Sequence, residues 1–222
     1  MSNPRENIKA VNRQLDDDLA AGDPKAKAFA GMLRGELNAA RKSLDLPPLP
    51  PTSDIWNGSE FHAPTNGVLI LGESTYGEDP PLTEYIPSWC SGSQPDSTFS
   101  RIFNAFSGSD SSSATPSERE VFWATIAFAN FVHQPIGPTR DHRPTTAHYR
   151  DAALALPTIL QRLKPQLRGV LILGREQSEY SVPVLRDLGI PFVVSRHPAA
   201  RGVPTTELQT AWNELQSKIR NG

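Results

Sequence analysis

Four short apolar runs, each ending at a turn or polar residue, constrain this chain more than anything else in it. Gly67-Val-Leu-Ile-Leu71 stops at Gly72, and Ala124-Thr-Ile-Ala-Phe128 stops at Ala129 and Asn130. Gly169-Val-Leu-Ile-Leu173 stops at Gly174, and Pro191-Phe-Val-Val-Ser195 stops at Arg196 and His197. The runs are apolar at consecutive positions, as expected of strands buried on both faces in a parallel sheet covered by helices. Helices are predicted over roughly 97–107, 146–163 and 176–187, with 205–220 closing the chain. Thr145 or Thr146 can cap the second and Thr205 or Thr206 the last, while Pro183 should kink the third or delay its start. Strands alternating with helices give a right-handed α/β fold: a three-layer α/β/α sandwich around a central four-stranded parallel sheet. Ligands of such sheets lie beyond the carboxyl ends of the strands, where the terminating residues fall.

Ahead of this domain, residues 4–21 and 24–44 read as a helical pair. Ile8, Val11, Leu15 and Leu19 recur at helical spacing, as do Phe29, Met32, Leu33, Leu37 and Ala40. The run LPPLPPTSD (46–54) cannot continue a helix, so the chain divides into an extension with linker over 1–54 and an α/β domain over 55–222. The 21 prolines imply long irregular loops, and Ser107–Ser113 reads as a mobile one. No stretch approaches 18 apolar residues and the first 25 lack a signal-peptide core, so a soluble, cytoplasmic protein without a membrane partner is expected. Cys90 is the sole cysteine, which excludes an internal disulfide and any all-cysteine metal or iron–sulfur site; no cofactor and no metal is expected. The net charge of −2 does not mark a nucleic-acid binder, but the acids gather at Asp16–Asp18 and around Glu118 and Glu120, which leaves room for a local basic rim.

Three terminators carry residues suited to chemistry. Gly72-Glu73-Ser74-Thr75-Tyr76-Gly77 is neither a dinucleotide-binding GxGxxG nor a P-loop. A plain tight turn is the alternative, yet Glu and Tyr are poor choices for one. Asn130 offers a donor and an acceptor, which suits the amide edge of a pyrimidine; a strand-ending turn explains it equally well. In Ser195-Arg196-His197-Pro198-Ala199-Ala200-Arg201-Gly202, proline stiffens the histidine and two arginines supply local positive charge.

In this order, on these strand ends, the three elements resemble the uracil-DNA glycosylase superfamily over roughly residues 64–220. The stretches LGESTYG, FANFV, RPT and VLILG are similar to a bacterial glycosylase-like branch. The resemblance implies a monofunctional glycosylase that flips a uracil or modified pyrimidine out of single- or double-stranded DNA and hydrolyses its N-glycosidic bond, acting as a monomer. It implies that Asn130 bonds the base, that His197 stabilises charge building on the leaving pyrimidine, and that Arg201 wedges into the gap. Tyr76 would crowd out a 5-methyl group, and Tyr85, Trp89 or Phe99 would stack on the ring. From their composition, Arg140, His142 and Arg143 suit a phosphate grip or a solvated loop equally well, and Arg196 adds positive charge for DNA beside His197. The water-activating Asp of the most active branch is Ser74 here, lining the base site, while Glu73 matches the Glu of another branch and Asp79 is a second candidate carboxylate. That second branch usually carries an iron–sulfur cluster, which a chain with Cys90 alone cannot hold.

Two other classes fit parts of the pattern. Ser74, Asp187 and His197 follow the chain order of an α/β-hydrolase triad, although the loop lacks the Gly-x-Ser-x-Gly spacing. A DNA-binding or sensing protein that kept the base site and lost catalysis would also carry Ser74 in place of Asp.

Overall fold

The structure is a computed structural model that describes residues 55–74, 80–133, 136–137 and 142–221. The expected helical pair lies outside the described residues, as do Tyr76, Asp79 and Arg140. The strands are β1 (Ile55–Asn57), β2 (Val68–Ser74), β3 (Ile126–Val132), β4 (Gly169–Leu173) and β5 (Phe192–Ser195). The described helices are α1 (Leu82–Cys90), α2 (Ser97–Ser107), α3 (Pro116–Ala124), α4 (Thr146–Leu163), α5 (Arg175–Asp187) and α6 (Thr205–Asn221). The fold is thus α/β, with a sheet in the order β1-β3-β2-β4-β5.

The sheet has five strands where four were expected. β2 to β5 pair in parallel, and β1 adds an antiparallel edge on β3 through Ile55↔Ala129 to Asn57↔Ala127. Three residues directly after a proline-rich connector are too short to display a strand period, which is why β1 escapes a pattern-based reading. Two helices were also unexpected. α3 announces itself through a capping box, with Thr115 and Glu118 bonded reciprocally, and Pro116 in the first turn. It claims Ala124, so β3 begins at Ile126 and runs on to Val132. Pro183 neither breaks nor delays α5, which is continuous from Arg175 to Asp187.

Alternate residues of β2 feed two separate cores, as the period of two requires. Val68 and Ile70 join Phe128, Leu171, Leu173 and Val193 beneath α1, α2, α3 and α6. Leu69 and Leu71 join Ala127, Ala129, Phe131, Val170 and Ile172 beneath α4 and α5. The first core is aromatic: Trp89, Phe99, Phe103, Trp123 and Phe128 meet mostly edge to face at ring separations of 5.0–6.3 Å. Gln177, fully buried at the start of α5, donates through Nε2 to the carbonyls of Leu71 (3.2 Å) and Leu173 (2.7 Å) and so stitches β2 to β4. The Ser107–Ser113 patch is an ordered turn rather than the mobile loop its composition suggested. Asp110 accepts from the backbone N–H and hydroxyl of Ser112, Asn104 accepts from the N–H of Ser111, and Arg119 grips the Ser111 carbonyl. No helix among the described residues is long and apolar enough to cross a membrane.

His133, just after β3, has a buried Nε2 without a hydrogen-bond partner among the described residues. Burial, reinforced by the charge of Arg162, pushes its imidazole from 6.5 down to about 4. Between those values the unfolded chain takes up a proton that the fold refuses, so stability is full above about pH 6.5 and falls as the pH drops toward 4. At roughly 1.4 kcal/mol per pKa unit the loss is of order 3 kcal/mol. Denaturant melts across that range should show the decline, and His133→Gln should flatten it.

Candidate functional site

The carboxyl edge of the sheet is assembled by register. Asn130 pairs with Gly72, Leu71 with Ile172, and Leu173 with Ser195. One step beyond the second pair, Gly72 is level with Leu173. Asn130, Gly72, Leu173 and Ser195 therefore form one row across four parallel strands, roughly 14 Å from end to end at about 4.8 Å per strand. Asn130 is consequently not the strand terminator that its sequence context suggested, but the fifth residue of a seven-residue strand.

Asn130 is 9% exposed and turns its side chain toward the aromatic core face. Gly72 makes this possible. A Cβ at position 72 would stand 2.5 Å from Asn130 Oδ1 and 3.0 Å from Phe128 Cζ, so the carboxamide occupies the space a side chain would need. Ser195 ends the same row at 4% exposure, its Oγ buried without a partner among the described residues. Ser74, at the end of β2, likewise has a buried and unpartnered Oγ among the described residues. Hydroxyls in that state have hydrogen-bonding capacity that the described residues do not use.

Past Ser195, the loop with His197 is held from both sides. Arg101 on α2 donates to the carbonyls of Pro198 and Val203. The His197 carbonyl accepts from the N–H of Ala200 (2.9 Å), and the ring Nδ1 accepts from the N–H of Ala199 (3.1 Å). Arg201 is exposed at the loop tip. Arg196, expected at the DNA surface, already has a carboxylate partner. It forms a forked pair with Glu207 in the first turn of α6, Nε lying 2.9 Å from both carboxylate oxygens. A helix start that needs an acid for its dipole takes up that arginine.

Glu73 lies elsewhere. Alternation along β2 sends it to the face opposite Gly72 and Asn130, under α4 and α5, at 4% exposure. Tyr149 of α4 donates to its Oε1 (2.8 Å), and Arg143 NH2 lies 3.1 Å from Oε1 and 3.0 Å from Oε2. Glu176, in the first turn of α5, shares both partners, at 3.3 Å from Tyr149 Oη and 3.5 Å from Arg143. Burial, and then the hydrogen bond to Glu73, push the Tyr149 hydroxyl above the ordinary tyrosine range, so it remains a donor. Its ring is stacked between Phe131 (6.3 Å) and Tyr180 (5.3 Å). The expectation that Glu73 joins Asn130 around one base is therefore not met, because β2 does not end at Leu71 but continues through position 73.

The remaining candidates separate cleanly. Trp89 is a core residue at 2% exposure with Arg119 over its ring, not a platform for a base. Phe99 is also core. Tyr85 is partly exposed, edge-on to Phe99, and donates to Asp96, the cap of α2. The hydrolase triad fails on topology. Asp187 ends a 13-residue helix that begins at the carboxyl edge and returns to the opposite one, about 20 Å away at 1.5 Å per residue. Arg143 is close to the edge but committed to two carboxylates. Among the described residues no three His, Cys, Asp or Glu side chains gather as a metal site would require. Sequence reasoning missed Arg101, Tyr149 and Glu176, whose partners lie up to 102 residues away and leave no local pattern.

No family model and no curated protein matches this sequence. Among solved structures, the chain is similar to the solution NMR structure of "a putative Uracil DNA glycosylase from Methanosarcina acetivorans". The two are 19% identical with a TM-score of 0.43 over 75% of this chain and 98% of that one, a likeness too slight to speak to chemistry.

Gly72→Ala should cost about 1–3 kcal/mol through overpacking against Asn130 and Phe128. Equilibrium unfolding measures the cost. The same substitution in an Asn130→Ala background, where Oδ1 is gone, should cost measurably less.

Proposed function

We propose that this chain is a monofunctional DNA glycosylase that receives an extruded pyrimidine on the Asn130 side of the carboxyl edge and hydrolyses its N-glycosidic bond. The observation that carries this reading is the Asn130 carboxamide held over Gly72, in one row with the strand end that leads into His197. An amide that both donates and accepts, fixed by a close backbone approach, can read a pyrimidine edge and reject a wrong one by leaving it unpaired. His197 Nε2 would meet the negative charge that builds on the departing base. Water then adds to the sugar carbon as the base leaves with the bonding electrons.

The carboxylate that orients that water and offsets positive charge on the sugar is assigned to Asp79, since Glu73 is engaged on the other face. Tyr76 would set the tolerance for a 5-substituent, Tyr85 would border the ring, and Arg201 would fill the gap in the stack. Arg140 would meet phosphate. None of the three motifs contains a lysine, so no amine nucleophile is available there for strand cleavage. Uracil is the leading base, with deaminated, hydroxymethylated and glucosylated pyrimidines beside it. A second reading, binding without cutting, is favoured by the commitment of Glu73 to Arg143 and Tyr149.

Incubation with single- and double-stranded DNA carrying each base, followed by assay for abasic sites, separates the two. Release is expected from at least one, with Asp79→Asn and His197→Ala each lowering the rate by about 10²-fold or more and Asn130→Asp changing base preference. Tight binding with no abasic sites on any substrate would instead select the non-cutting reading.

A further inference from the structure

We infer that Glu73 is a positioning residue, whose charge holds Arg143 and thereby fixes residues 142–145, which lead into α4. The inference rests on the DNA-directed reading for its purpose, but the geometry stands independently. Glu73 is a buried carboxylate facing away from Asn130, and a single nitrogen of Arg143 reaches both of its oxygens, at 3.1 and 3.0 Å. Ile136 packs against the core under α4 and α5. Gly137 approaches His142 so closely that a Cβ would stand 2.3 Å from the imidazole Cγ. Two residues past Arg143, Thr145 caps α4 in a reciprocal box with His148. Arg143 thus links the start of α4 to the central strand. The exposed His142 ring sits next to that link, on the segment that directly follows the strand of Asn130.

Physical chemistry separates this role from catalysis. Tyr149 needs only an acceptor at position 73, which Gln supplies, whereas Arg143 needs a charge. Its contact with Glu176 is the weaker of these two carboxylate pairs, since Glu176 is 66% exposed and screened by solvent. Because one nitrogen makes all the Glu73 contacts, a lysine ammonium can replace it, which a forked arginine pair would not permit.

The experiment compares Glu73→Gln, Arg143→Gln, Arg143→Lys and the Gln/Gln double variant in the full chain. Hydrogen exchange of the His142, Arg143 and Thr145 amides is read alongside binding and turnover of a uracil-containing single strand. The Gln variants should speed exchange at 142–145 alone and raise KM and Kd several-fold, equally and non-additively, with kcat unchanged and Arg143→Lys close to wild type. A collapse of kcat in Glu73→Gln at unchanged KM would make Glu73 catalytic and overturn the inference, as would unaltered exchange. Should wild type neither bind nor cut any of the single- or double-stranded substrates named above, the DNA reading fails, and exchange alone decides whether Glu73 holds residues 142–145.

Discussion

The alternation of side chains along β2 is the constraint on which the rest of this structure depends. β2 is central, with β3 on one side and β4 on the other, and each successive residue must choose one of two cores. For Val68 to Leu71 the choice is between two apolar interiors. The same geometry continues for three residues past the point where the sequence turns polar. Gly72 then opens space on the aromatic side and Glu73 enters the other, so two adjacent residues serve different halves of the molecule.

The features legible in the sequence were those set by local physics. Continuous apolar runs marked the four parallel strands, and β4 at Gly169–Leu173 and α4 at Thr146–Leu163 match their expected bounds, because a buried strand and a Thr-capped amphipathic helix are determined by neighbours in sequence. Errors arose where the competing signal was of comparable strength. Ala124 suited a strand or a helix end, and the Thr115 capping box decided it. The serine-rich turn read as loose by composition, yet Asp110, Asn104 and Arg119 hold it with side-chain bonds that composition does not reveal.

For the site, the types of residue were legible and their faces were not. Ser195 ends β5 with His197 just beyond it, whereas Asn130 lies two residues inside the end of β3. Glu73 was assigned to the wrong side, since a strand ending at Leu71 leaves its direction free whereas one ending at Ser74 dictates it. Trp89 illustrates a different limit. An indole near a polar loop is compatible with a binding platform or with a core, and only the packing of Phe99, Phe103 and Trp123 around it decides.

The clamp that Arg101 places on the His197 loop has a consequence for the order in which the molecule can be built. Its two acceptors, Pro198 and Val203, lie 97 and 102 residues further along the chain. Closing so long a loop carries an entropic cost that only the assembled sheet and the docking of α6 can offset. The Asn130 half of the edge is complete once β3 lies beside β2, whereas the His197 half exists only after the last strand has joined. A nascent chain thus completes the Asn130 side of this edge before the His197 side can form.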